Sequence, residues 1–115
     1  AESGRVALYG IYFDTGSAVV KPESKAALEE IAKLLKAEAA MKLLVVGHTD
    51  TVGTWSANQD LSLRRAQAVV NALVTQYGIP AARLQAAGVA FASPVASNRS
   101  DAGRAKNRRV ELVEF

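Results

Sequence analysis

The feature that most constrains the fold is a short run of consecutive apolar residues at positions 42–47 (KLLVVG), which ends in a polar loop. A run of this length without alternation is typical of a strand that is covered on both faces. Such a strand needs helices packed on its sheet, so the run predicts an α/β protein. The loop that follows begins with His48, Thr49 and Asp50.

Two segments with helical periodicity lie on either side of this strand. Residues 23–39 place apolar side chains at helical spacing and follow Pro22, which suits a first helical turn. A second helix is expected to begin between residues 55 and 62 and to end near residue 77, just before Gly78. We expect Trp55 to act as a hydrophobic staple for that helix.

Three further segments have strand-like composition: residues 6–13, 83–89 and 108–115. A polar stretch, 92–106, joins the last two. The predicted order is therefore β-α-β-α-β(-β), a sandwich of two main helices packed on a small mixed sheet. The 115 residues suit one domain, 1–115. Because residues 1–5 resemble no secretory signal, we read them as a stub of an upstream region.

Composition excludes several kinds of site. The sequence has no cysteine and a single histidine, His48, so a thiolate zinc site and a cysteine nucleophile are excluded, and no metal or cofactor is expected. The net charge of +3 is mild, and the arginines near the C-terminus lack the aromatic pattern of a nucleic-acid motif. We expect His48 to form a hydrogen bond within its loop and to hold Asp50 in place.

Asp50 and Arg65 are the charged pair that best predicts a ligand site. Asp50 lies in the loop at the end of a strand, where α/β proteins usually bind ligands, and Asn58, Leu61 and Arg65 share one face of the next helix. One interpretation is a structural salt bridge between the two charges. The other is a site for a zwitterion, with the carboxylate binding an ammonium group and the guanidinium binding a carboxylate.

A set of spaced residues forms a recognisable pattern: Phe13-Asp14, Gly47-His48-Thr49-Asp50, Gly53, Asn58, Leu61-Ser62, Arg65-Ala66, Val69, Gly78, Arg83-Leu84, Gly88, Pro94, Asn98, Gly103-Arg104 and Asn107-Arg108-Arg109-Val110-Glu111. This pattern resembles the OmpA-like domain family, named after the C-terminal domain of outer-membrane protein A. Domains of this family also occur in the peptidoglycan-associated lipoprotein and in the flagellar stator. The matching positions extend over nearly the whole chain.

The resemblance implies a function and a place in the cell. It implies non-covalent, non-catalytic binding of peptidoglycan through the meso-diaminopimelate of the stem peptide, in the periplasm of a Gram-negative bacterium. The domain would then anchor the outer membrane or an envelope protein to the cell wall, and would reach a membrane only through an upstream segment. The alternative is an envelope protein-protein interaction module that binds the wall weakly.

The resemblance also assigns residues to the site. Asp50 and Arg65 match the two key contacts of the ligand. The positions that match the lining or surroundings of the family's pocket are Asp14, Thr15, Asn58, Leu61 and Arg109. An enzyme remains a third possibility at this stage, since Asp14 and Asp50 are carboxylates predicted at neighbouring strand ends, but the resemblance assigns both to binding.

Overall fold

A mixed sheet forms one layer of the protein. The computed structural model describes residues 11–114 and the backbone of Arg5 and Val6. Within that part of the chain the sheet has the strand order β1-β4-β2-β3, where β2 is parallel to β3 and antiparallel to β4, and β4 is antiparallel to β1. The strands are β1 (Arg5–Val6), β2 (Leu43–Gly47), β3 (Leu84–Gly88) and β4 (Val110–Glu114). The predicted mixed sheet is confirmed.

Two long helices pack with the sheet, as predicted. Helix α1 spans Lys25–Ala37 and follows a 3-10 turn at Pro22–Ser24, and helix α2 spans Trp55–Tyr77. Gly78 ends α2 with φ of 70°, a left-handed conformation that glycine adopts without a steric cost. None of the helices in the described part of the chain is long and apolar enough to cross a membrane.

The structure also contains a helix that the sequence analysis placed in a polar connecting stretch. Helix α3 spans Asp101–Asn107, and the hydroxyl of Ser100 accepts a hydrogen bond from the Gly103 amide at 3.0 Å as its N-cap. Seven residues give too few turns for an apolar stripe to be recognised. Of the predicted strand at 6–13, Val6 lies in β1 and Tyr12 forms an isolated bridge with Arg109, while residues 7–10 lie outside the described part of the chain.

A single core lies between the helices and the sheet. Leu43 and Val45 of β2 are fully buried, whereas Leu44 and Val46 are only partly buried. The prediction of a strand covered on both faces is therefore wrong in part, because β2 is fully covered on one face only. The helices and β4 contribute these buried side chains: Leu28, Ile31, Leu35, Val69, Leu73, Val110 and Leu112.

Two glycines let α2 approach the ends of the parallel strands. Gly47 and Gly88 are partners in the β2–β3 register. A Cβ atom at Gly47 would lie 1.8 Å from the Ser62 carbonyl oxygen, and one at Gly88 would lie 2.4 Å from the Ser62 hydroxyl. The first half of α2 therefore packs directly on the carboxyl ends of β2 and β3, which brings its side chains to the loop after β2.

Replacing Gly47 with alanine should lower the free energy of unfolding by about 3 kcal/mol or more, because the added methyl group meets the backbone of Ser62 and forces α2 away from the sheet. Denaturant unfolding of the purified domain would measure the loss. Gly16→Ala is a suitable control, since nothing lies within 4 Å of its Cβ position and its φ of 69° adds only a conformational cost, about 1–2 kcal/mol. A smaller loss for Gly47→Ala than for Gly16→Ala would contradict the close approach.

Candidate functional site

Asp50 lies in the loop after β2 and is buried, with 3% of its surface exposed. Its Oδ1 accepts a hydrogen bond from the Val52 amide at 3.0 Å, and its Oδ2 accepts one from Arg108 Nη1 at 2.8 Å. These two bonds orient the carboxylate and balance its charge. Within the described residues, the ion pair of Asp50 is therefore formed with Arg108, and no pair with Arg65 lies within 4 Å.

Arg65 is completely buried and donates to three backbone carbonyls. Its Nε, Nη1 and Nη2 bond the carbonyl oxygens of Ser17, His48 and Asp14 at 2.8, 2.9 and 2.9 Å. Its guanidinium carbon also lies 5.1 Å from the centre of the Phe13 ring, within cation–π distance. Arg65 thus ties the 14–17 loop to the end of β2.

Burial determines the acid–base behaviour of Arg65. Desolvation lowers the pKa of Arg65 to about 10, and the negative charge of Asp50 acts in the opposite direction. The group still carries its positive charge at neutral pH. Asp50 and Arg65 therefore influence each other through space, although they share no hydrogen bond among those of the described residues.

Arg108 is the site residue that the sequence analysis missed. It bonds Asp50 and donates from Nε to the Phe13 carbonyl at 2.9 Å. The predicted residue, Arg109, instead bonds Glu111 and the Ser93 carbonyl. Neighbouring residues of an extended chain point to opposite sides, so consecutive arginines cannot both face the site. The Arg108-Arg109 pair was visible in the sequence, but which arginine faced Asp50 was not.

An open pocket of about 220 Å³ adjoins Asp50. It brings together four of the predicted residues: Thr15, Asp50, Asn58 and Leu61. The rest of its lining is Gly16, Val52, Ala57 and Arg64. Asn58 also donates from Nδ2 to the Val52 carbonyl at 2.9 Å, which fixes the loop that holds Asp50.

Three predicted residues lie outside the lining of this pocket. Arg65 lies beneath its loop, and Arg109 lies against Glu111. Asp14 borders an adjacent cleft of about 190 Å³ that also contains Lys21 and Arg108. There the Asp14 carboxylate lies 3.2 Å from Lys21 Nζ, which raises the pKa of Lys21.

The structure shows the surroundings of His48 and contradicts the prediction for Trp55. His48 Nε2 lies 3.0 Å from a Glu111 carboxylate oxygen, and it is the His48 carbonyl that takes part in the site, by accepting from Arg65. Trp55 is the first residue of α2, and its ring packs edge-to-face on Phe91 at 4.9 Å. A staple joins the residue before the cap to the fourth helical residue, so the staple prediction is wrong.

Potential metal ligands do not cluster in the part of the chain that the structure describes. No group of three or more histidine, cysteine or acidic side chains there is arranged to hold a metal ion. The chemistry that the site offers is that of a paired, oriented carboxylate on a pocket wall, with two guanidinium groups close behind it. This arrangement suits the recognition of a small polar ligand.

Comparison with protein families gives one match over most of the chain. The model of the OmpA family matches residues 12–108. Outer membrane porin F of Pseudomonas aeruginosa is 44% identical over 111 residues, which cover 96% of this chain and 31% of the porin. The peptidoglycan-associated lipoprotein of the same organism is 39% identical over 111 residues, or 96% of this chain and 65% of the lipoprotein. The chain thus spans less than two thirds of the length of each of these two relatives.

Solved structures share the fold. The peptidoglycan-associated lipoprotein of Burkholderia pseudomallei matches with a TM-score of 0.85 and 35% identity, covering 91% of this chain and 88% of that one. The cell wall anchor of the type VI secretion system (T6SS) of Pseudomonas aeruginosa matches with a TM-score of 0.73 and 39% identity, covering 90% of this chain and 74% of that one. These matches confirm the α/β fold that the sequence predicted.

Proposed function

Given that the chain belongs to the OmpA family, we propose that it binds peptidoglycan without cleaving it, through the meso-diaminopimelate of the stem peptide. Two relatives are named for association with the cell wall, as a peptidoglycan-associated lipoprotein and as a cell wall anchor. By this proposal the domain works in the periplasm of a Gram-negative bacterium. It ties the outer membrane, or another envelope protein, to the wall.

The observation that carries the proposal is the oriented Asp50 carboxylate on the wall of the pocket. The free end of diaminopimelate bears an ammonium group and a carboxylate on one carbon. Asp50 binds the ammonium group, because a buried carboxylate already held by Val52 and Arg108 keeps acceptor positions for a further donor. Thr15, Asn58 and Leu61 enclose the rest of the ligand end.

Arg65 binds the ligand carboxylate in this proposal, and the 14–17 loop must open to admit it. Arg65 is fully buried, and its bonds to the Asp14 and Ser17 carbonyls occupy the side of the guanidinium toward that loop. A carboxylate can replace these uncharged carbonyl acceptors, since it adds an opposite charge and can accept two parallel hydrogen bonds from one guanidinium. Arg109 keeps a supporting role through the Ser93 carbonyl.

Peptide discrimination tests the proposal. Lysine-type stem peptides lack the carboxylate that Arg65 is proposed to hold, so the domain should bind a diaminopimelate tripeptide about tenfold or more tightly than the lysine tripeptide, about 1.4 kcal/mol or more. Calorimetric titration of both peptides measures the ratio. Release of soluble fragments from purified peptidoglycan, followed in parallel, would contradict the non-catalytic part of the proposal.

An Arg65→Lys variant tests whether Arg65 contacts the ligand carboxylate or only positions the loops around the pocket. If Arg65 holds the carboxylate, the variant should lose the preference for diaminopimelate, because lysine cannot form the two-pronged bond. If Arg65 only positions the loops, both peptides should weaken equally and the preference should remain. Glu30→Gln changes an exposed carboxylate on α1 and serves as the control. Failure of the wild type to bind either peptide would instead favour the protein-interaction module.

A further inference from the structure

An aromatic pair, an exposed tryptophan and a half-buried phenylalanine, lies beside the pocket. Trp55, the one tryptophan of the sequence, is 49% exposed, and its ring meets that of Phe91 at an interplanar angle of 87°. Val52, which lines the pocket, is 53% exposed. Exposed apolar side chains grouped at the rim of a pocket often mark a binding surface.

The backbone around both rings is held in place. Trp55 opens α2 directly after Thr54, whose hydroxyl accepts from the Ala57 amide at 3.2 Å. Phe91 follows Ala90, a residue with φ of 50° whose amide donates to the Ser62 hydroxyl at 3.0 Å. A left-handed alanine is sterically unfavourable and is retained because surrounding contacts enforce it. The pair is therefore a preformed platform.

The chemistry around the platform is uncharged and rich in hydroxyl groups. Charged residues make up 22% of the chain, yet the segments 51–59 and 89–98 contain none. The same segments carry these hydroxyl side chains: Thr51, Thr54, Ser56, Ser93 and Ser97. A neutral surface of this kind does not suit nucleic acid or an anionic lipid surface, both of which require cations. It suits a neutral ligand with hydroxyl and amide groups.

The platform lies close enough to the pocket for one ligand molecule to contact both. Trp55 is three residues from Val52 and three from Asn58, so its Cα lies within about 11 Å of the first and about 5 Å along the helix from the second. The free end of diaminopimelate lies at the tip of its side chain, and two further residues join its backbone to the sugar, so the extended span from the pocket to the sugar is about 12 Å. One ligand molecule can therefore occupy the pocket and contact the platform.

We propose that Trp55, backed by Phe91, is a stacking surface for an N-acetylhexosamine of the glycan strand whose stem peptide fills the pocket. This inference rests on the proposed function and extends it from the peptide to the sugar. The apolar C–H face of the sugar ring packs on the indole, while its hydroxyl and N-acetyl groups face the uncharged loops. By this proposal the domain binds both the stem peptide and the glycan strand of the polymer.

Two soluble ligands test this inference: a free diaminopimelate tripeptide and the same tripeptide attached to its disaccharide. The disaccharide form should bind the wild type about tenfold more tightly, in the range of a good aromatic contact. Trp55→Ala should abolish that advantage and leave tripeptide affinity within about twofold, whereas Trp55→Phe should keep part of it. Tryptophan fluorescence should shift with the disaccharide form and stay nearly constant with the tripeptide.

The controls distinguish the proposed sugar contact from the proposed peptide site. Val19→Ala, which shortens another exposed apolar side chain, should leave both affinities unchanged. Tripeptide binding without any gain from the disaccharide would overturn the sugar contact while leaving the peptide site intact. Equal losses for both ligands in Trp55→Ala, or a Trp55-dependent dimer in sedimentation, would also overturn it. Absence of binding by either ligand would overturn both proposals.

Discussion

Replacing Arg65 with methionine should lower the free energy of unfolding by about 3 kcal/mol or more. Methionine fills similar space but leaves the carbonyls of Ser17 and His48 without the donor that Arg65 provides, while the Asp14 carbonyl keeps its bond from the Ser17 amide at 3.1 Å. Each buried acceptor left without a partner costs about 1–3 kcal/mol. Asp50 also loses the nearby positive charge that Arg65 provides. Denaturant unfolding monitored by circular dichroism would measure the loss.

The neighbouring residue is a matched control for this prediction. Arg64 is also an arginine of α2, but it is exposed and pairs with Asp60 one turn away. Such surface pairs contribute little, so Arg64→Met should change the free energy of unfolding by less than about 1 kcal/mol. Similar losses in the two variants would mean that the carbonyl contacts of Arg65 do not stabilise the domain.

Asp50→Asn should weaken binding of the diaminopimelate peptide about 30-fold or more. The substitution keeps the shape of the side chain and removes the charge that attracts the ligand ammonium. Loss of one partner from a buried charge pair costs about 2–5 kcal/mol. Calorimetric titration of the folded variant measures the change, with Glu30→Gln again as the exposed-carboxylate control. Unchanged affinity would remove Asp50 from the site.

The periodic elements were predictable because their signals are local. The apolar run before Gly47 and the helical spacing of apolar residues in α1 and α2 depend only on residues close together in the sequence. Strand β2 and helices α1 and α2 lie close to their predicted bounds. Helix α3 was missed because it is held by a cap at Ser100 rather than by an apolar stripe. Local patterns do not record such caps clearly.

The arrangement of the site depends on contacts that cross the chain. Sequence spacing and the family resemblance pointed to Asp50 and Arg65. They did not show that Arg65 is buried and donates to the carbonyls of Ser17 and Asp14, which lie 48 and 51 residues away in the sequence. For the same reason they did not show that Arg108, 58 residues from Asp50, is its ion-pair partner. Tertiary packing determines these partners, and residue type and sequence spacing alone do not reveal them.

The two hydrogen bonds that Arg65 donates to the 14–17 loop have a kinetic consequence. If ligand reaches the guanidinium only after the 14–17 loop lifts, only the lifted fraction is competent to bind, and apparent affinity falls by that fraction. Once the loop closes over the ligand, release requires the same movement, so the bound lifetime lengthens. In the proposed role as an anchor to the wall, a long bound lifetime serves the domain better than rapid capture.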